Sequence, residues 1–190
     1  LDKKLPIILY ASKFIKRKNP IKILEALERL GKNGTPPEVY LLYIGDGEEK
    51  TLLENKIKTL GWEGNVKLLG FKNQSELPLY FTMCDVFVLP SNKEPYGLIV
   101  NEVLNCAKPI ITTTEVGSAK DLISHGQNGF LYEPDDIKSL SEYLQMFIKD
   151  RALSYNMGKK SVDMMNKWSY TQNVEGVYEA LQSLNKEKIL

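Results

Sequence analysis

Residues 85–102 read Asp85-Val86-Phe87-Val88-Leu89-Pro90-Ser91-Asn92-Lys93-Glu94-Pro95-Tyr96-Gly97-Leu98-Ile99-Val100-Asn101-Glu102. The apolar run after Asp85 reads as a short buried strand. Pro90-Ser91 ends it, and Pro95 and Gly97 mark a turn. Leu98, Ile99, Val103 and Leu104 then follow a helical spacing. In open α/β sheets, a strand that passes through a turn into a helix is where ligands are held. The stretch also sets two carboxylates eight residues apart, Glu94 in the turn and Glu102 inside the helix. Two acids with free backbone amides between them suit a ligand that carries sugar hydroxyls and phosphates.

The same rhythm extends both ways from this stretch. Strands are expected over residues 6–11, 39–44, 66–69, 85–89, 109–113 and 129–132. Asn19-Pro20 is expected to start a helix, Asn as the cap and Pro in the first turn. Ile21, Leu24, Leu27 and Leu30 form its apolar face, and Gly31 follows its end. Gly45-Asp46-Gly47 opens a helix with Leu52, Leu53, Ile57 and Leu60 inward, and Ser75 opens another through Met83. Helices are also expected over residues 97–106 and 117–124. After Pro134 the pattern is helical only. Asp135 or Asp136 caps a helix to Ile148, a second covers residues 151–167, and Ser169 with Gln172 forms a capping box for residues 171–184. The tail at residues 186–188 is expected to fray. Alternating strands and helices imply an α/β, Rossmann-like, doubly wound parallel sheet of about six strands, closed by C-terminal helices.

Composition narrows the function classes. The 190 residues are 43% hydrophobic, enough for one sizeable core. With 25 basic and 24 acidic residues the net charge is +1, so no global field argues for nucleic acid or membrane. The runs Lys16-Arg17-Lys18 and Lys159-Lys160 read as solvated surface. Cys84 and Cys106 have neither metal nor disulfide spacing and are expected to be buried and reduced. A lone His125 excludes a His-rich metal site. The chain opens with Leu1, which suits a piece of something longer.

Several residues could carry chemistry. Glu94, at a strand's carboxyl end, can accept hydrogen bonds from ligand hydroxyls. Glu102 sits among apolar neighbours and needs partners, because an unpaired buried charge is costly. The helix start at Gly97 and Leu98 presents unsatisfied amides and a partial positive charge, which suit phosphate. Gly117-Ser118 opens a short helix that could do the same. Lys13 and Lys18 bracket the loop after the first strand and could neutralise a diphosphate without a metal. Gly45-Asp46-Gly47 is not a dinucleotide fingerprint, since Lys50 stands where the third glycine would be. It reads as a tight turn with close backbone approach. Tyr10, Tyr40, Tyr43, Phe87 and Tyr132 read as packing, whereas Phe71 is a candidate stacking residue.

In order, these motifs resemble the carboxyl-terminal, donor-binding half of group 1 retaining glycosyltransferases of GT-B architecture. The resemblance runs from Ser12-Lys13-Phe14 and Lys18-Asn19 through Ile44-Gly45-Asp46-Gly47, Leu69-Gly70-Phe71 and the Glu-x7-Glu pair at Glu94 and Glu102. It continues through Lys108-Pro109-Ile110 and Gly117-Ser118 to Asn128-Gly129-Phe130-Leu131. It implies that Glu94 contacts the donor sugar, Glu102 the ribose, and Lys13 and Lys18 the diphosphate as it leaves. The amides of Tyr96, Gly97 and Leu98 would bind the sugar or the distal phosphate. Gly70, Phe71 and Lys72 would hold the base, and Gly45 and Gly117 would line the donor site. The implied reaction is metal-independent hexosyl transfer from a nucleotide sugar with retained configuration, to a glycan or lipid-linked acceptor in polysaccharide biosynthesis.

The chain departs from the family pattern at Ser12-Lys13, where Gly-Arg is usual, so the bidentate fork of Arg is lost. It also departs at Ser118, Asp121 and Ala107. The resemblance implies a missing N-terminal acceptor domain, toward which the helix in residues 169–190 would pack, and an isolated half that is inactive alone. The location implied is cytoplasmic, or peripheral at the inner face of the membrane, without nucleic-acid partners. Two other readings stay open: a noncatalytic nucleotide-binding or interaction module, and a sugar-nucleotide epimerase-like domain, which the Glu-x7-Glu pattern disfavours.

Overall fold

The computed structural model describes residues 5–31 and 38–187. Its strands are β1 (Ile7–Ala11), β2 (Tyr40–Ile44), β3 (Val66–Leu68), β4 (Val86–Leu89), β5 (Ile110–Thr113) and β6 (Gly129–Tyr132). Between and after them run α1 (Ile21–Leu30), α2 (Lys50–Leu60), α3 (Leu77–Met83), α4 (Leu98–Asn105), α5 (Ala119–Leu122), α6 (Ile137–Lys149), α7 (Arg151–Met165) and α8 (Tyr170–Glu187). A 3-10 turn at Lys16–Lys18 has no counterpart in the sequence reading.

The six strands form one parallel sheet in the order β3-β2-β1-β4-β5-β6. The chain winds outward from β1 to β3, returns to the centre, and winds the other way from β4 to β6. Loops leaving the carboxyl ends of β1 and β4 therefore diverge, and the sheet's ligand crevice lies between them. Pairing of Ile8 with Val86 and Leu9 with Phe87 fixes the register at this point.

Successive strand residues point to opposite faces. Ile8 and Tyr10 join the core with Ile23, Leu24 and Leu27 of α1, Leu53 and Ile57 of α2, and Leu140, Leu144 and Phe147 of α6. Leu9 and Ala11 face Phe81 of α3, Val100, Val103 and Leu104 of α4, and Ala119 and Leu122 of α5. Both faces are thus covered, as the largely apolar central strands require. Tyr10, Phe14 and Tyr43 cluster with ring centroids 5.4–6.1 Å apart. Tyr10, Tyr43, Phe87 and Tyr132 are buried as expected, and Tyr40 is half-buried.

Local expectations fail where backbone geometry competes with side-chain chemistry. Asn19 does not cap α1. It adopts a left-handed conformation with φ 54°, and Pro20 precedes the helix without a side-chain cap. Ser75 does not open the α3 turn. Asn73 does: its Oδ1 accepts from the amides of Ser75 and Glu76, while its own amide donates to Glu76 Oε2 at 3.0 Å. That Asn-x-x-Glu pairing is a capping box the reading missed. Leu52, expected inward, is half exposed, because Leu53 and Ile57 define the buried stripe of α2. Asp136 caps α6, and the amide of Ser169 donates to Gln172 Oε1 at 2.8 Å, as the capping patterns imply. Cys84 is buried and free, with burial pushing its thiol up to about 12, whereas Cys106, past the end of α4, is free but only half-buried. In the expected fraying tail, residues 186 and 187 belong to α8 and Lys188 lies outside the described residues.

One ion pair ties the C-terminal helices to the sheet. Asp85 accepts from the Ile7 amide at 2.8 Å and from Arg151 through two nitrogens. Arg151 is about half exposed, so it rehydrates when its partner is lost. The Ile7 amide loses its acceptor. Asp85→Ala is expected to cost about 2 kcal/mol, read as a lower urea midpoint with an unchanged slope. A midpoint equal to wild type would show the contact to be ornamental.

Candidate functional site

A cavity of about 470 Å³ opens at the carboxyl ends of β1 and β4. Its first wall is the loop after β1, which continues the β1–β2 pairing past the sheet. The Ser12 amide donates to Ile44 O at 3.0 Å, and the Phe14 amide to Asp46 O at 2.9 Å. The Tyr10 hydroxyl donates to Lys13 O at 2.9 Å. With its backbone held on three sides, Lys13 projects its side chain at the cavity. Such close backbone contact needs glycine opposite. A Cβ on Gly45 would lie 2.0 Å from Ser12 O, and one on Gly47 2.4 Å from Phe14 O. The close approach expected of Gly45-Asp46-Gly47 is therefore real.

The second wall is the loop after β4. Thr113 donates its hydroxyl to Ser91 O at 2.6 Å, and a parallel bridge between Glu94 and Val116 carries the β4–β5 pairing out into the loops. Glu94 ion-pairs with Lys18, and Arg17 Nη1 lies 3.4 Å from the same carboxylate oxygen. The Lys18 and Glu94 side chains are only 12% and 13% exposed. The basic run is thus not a solvated face: Lys18 is folded into the site, and Arg17 caps it from outside. Burial, and after it the charge of Arg17, lowers the Lys18 ammonium to about 8, against which the Glu94 carboxylate works.

α4 supplies the third wall. Gly97 precedes it with φ 90°, and no described residue accepts from the amides of Gly97, Leu98 or Ile99. These donors and the positive helix end lie beside the cavity that Gly97, Leu98 and Ile99 line. The fourth wall is Phe71, 77% exposed, with Lys72 and Leu77. Gly70 holds that segment through its carbonyl, which accepts from the Gly45 amide at 2.9 Å.

Of the residues singled out in the sequence, Lys13, Lys18, Gly45, Phe71, Lys72, Glu94, Gly97 and Leu98 surround this one cavity. Glu102, Tyr96, Gly70 and Gly117 do not line it. Glu102 is half-buried on α4, one turn beyond Leu98 and Ile99, and its side chain makes no hydrogen bond or ion pair with any described residue. Gly117 cannot offer its amide to a ligand, because that amide donates to Glu94 O at 2.9 Å and the next, of Ser118, donates to Tyr96 O at 2.8 Å. The expected anion site there is spent on bracing the Glu94 loop, with a Gly117 Cβ only 2.1 Å from Pro95 O. The sequence reading missed Arg17 and Asn92, which act through loop contacts that no local pattern announces, and gave Asp46 no part in the cavity that it lines. Among the described residues no three His, Cys, Asp or Glu side chains gather to hold a metal ion, and no helix is long and apolar enough to cross a membrane.

Residues 1–164 match the family described as glycosyl transferases group 1. The chain belongs to that family. Among curated relatives, this group 1 glycosyltransferase sequence is 29% identical over 175 residues to N-acetyl-alpha-D-glucosaminyl L-malate synthase of Bacillus anthracis, covering 92% of the chain and 44% of that protein. It is 29% identical over 182 residues to the capsular polysaccharide biosynthesis glycosyltransferase CapM of Staphylococcus aureus, covering 94% and 45%. Among solved structures, Anabaena HepE in complex with UDP superposes with a TM-score of 0.80 at 25% identity, over 94% of this chain and 49% of that one. The C-terminal domain of the Francisella tularensis group 1 protein LpcC gives 0.76 at 27% identity, over 89% and 90%. The sheet thus has the Rossmann-like architecture found in GT-B glycosyltransferases, and the chain spans less than half the length of the curated relatives named here.

Proposed function

We propose that this chain is the donor-binding half of a retaining glycosyltransferase that takes its sugar from a nucleoside diphosphate. The observation that carries the reading is the convergence of Lys13, Lys18 and the unpartnered α4 amides on one cavity beside Glu94. HepE, whose structures with UDP and with UDP-glucose resemble this chain, supports the ligand class.

In this reading the diphosphate lies between Lys13, Lys18 and the amides of Gly97 and Leu98, with Tyr96 beside them. Phe71 stacks on the base, with Gly70 and Lys72 around it, and Glu102 takes the ribose hydroxyls. Glu94 orients the sugar. The bond from the anomeric carbon to the diphosphate breaks, and the lysines stabilise the negative charge that departs. An acceptor hydroxyl adds on the same face and gives up its proton to the leaving diphosphate. These fixed cations and dipoles do the work asked of a metal, so transfer is expected without one. The acceptor is a glycan or a lipid-linked sugar.

The acceptor-binding half lies outside these residues, and α8 packs toward it. Val174, Val177, Tyr178, Leu181 and Leu184 are 57–68% exposed and share one face of α8. Alone, the half transfers little or no sugar, and the complete enzyme works in the cytoplasm or peripherally at the inner membrane face.

Calorimetric titration with UDP, GDP, ADP, UDP-glucose, UDP-GlcNAc and GDP-mannose tests the reading. One nucleoside is expected to bind selectively, and Glu102→Ala to weaken it at least about tenfold, the value of hydrogen bonds to a charged group. A chain that binds none of them, in a full-length protein that also transfers no sugar, is a noncatalytic module instead.

A further inference from the structure

Two loops that share no strand pairing are clasped by a side-chain bridge. Asn19 Nδ2 donates to Asn92 Oδ1 at 2.9 Å, and the Asn92 amide donates to Arg17 O at 2.9 Å. Asn19 immediately follows Lys18, and Asn92 stands two residues before Glu94. Asn19 is 8% exposed and left-handed, a conformation that costs a non-glycine residue energy and persists where its surroundings enforce it. Its amide and carbonyl are both engaged, the amide with Ile15 O and Lys16 O and the carbonyl with the Lys22 amide. The left-handed turn therefore aims the Asn19 side chain across the crevice while ending the 3-10 turn that carries Lys18.

We propose that Asn92, gripped by Asn19, is a positioning residue that sets Lys18 and Glu94 against each other across the crevice. Neither asparagine lines the cavity; each acts through the loop that carries Lys18 or Glu94. Lys18 has a flexible stem, and Glu94 stands in a loop before Pro95. Holding the segments beside both removes freedom that a ligand would otherwise have to freeze out. The consequence for ligand binding rests on the function proposed above. The consequence for the Lys18–Glu94 pair does not.

The test is a double-mutant cycle of Lys18→Gln and Glu94→Gln, read by urea unfolding of this chain. It is run in the wild-type, Asn92→Leu, Asn92→Asp and Asn19→Gly backgrounds. Wild type is expected to show a coupling of about fivefold in the unfolding constant, near the upper end for pairs of this kind. Asn92→Leu should reduce it below about twofold, and Asn92→Asp, which keeps an acceptor for Asn19, should restore it. Asn19→Gly relieves the left-handed backbone and removes only the donor. It should also uncouple the pair, and it decides the matter if the leucine variant does not fold. Undiminished coupling in Asn92→Leu or Asn19→Gly overturns the proposal. In a second arm, Asn19→Gly should bind UDP-glucose about fivefold more weakly than wild type, the scale of one hydrogen bond. If wild type does not bind UDP-glucose, that ligand fails while the coupling still decides the clasp.

Discussion

Alanine at Gly45 should collapse the cleft and take several kcal/mol of stability with it. Gly45 has φ 139°, outside the range of ordinary side-chain-bearing residues, and its added Cβ would lie 2.0 Å from Ser12 O and 3.0 Å from Ser12 C. The Ser12 carbonyl has nowhere to go. The Ser12 and Phe14 amides are bonded to Ile44 and Asp46, and the Lys13 carbonyl to Tyr10. On its other side Gly45 donates to Gly70 O. Relief requires breaking two or three of these bonds or separating the loops. We expect roughly 3–4 kcal/mol of destabilisation from the forbidden backbone and the clash together. For a chain of this size that lowers Tm by roughly 10 °C. Nucleotide binding should fail as well, because Lys13 rides on the displaced loop. Gly61→Ala is the internal control. Gly61 is also left-handed, at φ 67°, but nothing lies within 4 Å of its added Cβ, so only the conformational cost of about 1–2 kcal/mol applies. Equal losses in the two variants would mean that the cost at Gly45 is conformational and that the two loops are not pressed together.

The parts of this fold that were legible in the sequence are those set by periodicity. Runs such as Val86–Leu89 announce strands buried on both faces, and the spacing of Leu24 and Leu27 announces the face of α1. The order of those signals implied the parallel sheet, and the site followed from where such sheets leave room. The errors share a different cause. Asn19 carries the side chain of a cap, but the chain needs a left-handed turn there, and the amide group reaches Asn92, 73 residues away. Gly117 precedes a short helix and so reads as an anion site, yet its amide is claimed by Glu94 O. The run Lys16-Arg17-Lys18 reads as solvated because its fate depends on a carboxylate from another loop. In each case a local preference was overruled by a partner brought near only by the fold, and such partners have no spacing in the sequence.

Lys18→Met should weaken nucleotide binding about a hundredfold, the scale of one or two charge-assisted contacts to a diphosphate. It should also free Glu94, which in the unliganded chain is held by Lys18 and approached by Arg17. Glu94→Gln separates the two roles. It should leave UDP affinity within about threefold, because it removes no diphosphate contact, and it should abolish any gain of UDP-glucose over UDP. pH gives an independent check on Lys18. Burial and Arg17 lower this ammonium to about 8. It is charged below that value and loses its proton as pH rises through it. Diphosphate binding favours the charged form, so affinity should be full near pH 7 and fall as pH passes 8, by at most about tenfold per unit. UDP-glucose is the better probe, since its diphosphate does not titrate in that range. Lys18→Arg keeps its charge throughout, and its profile should be flatter. Because both proteins meet the same base, ionisation of the uracil cancels between them. If wild type and Lys18→Arg lose affinity in parallel above pH 8, Lys18 is not the cation that holds the diphosphate, and Lys13 with the α4 amides must carry it.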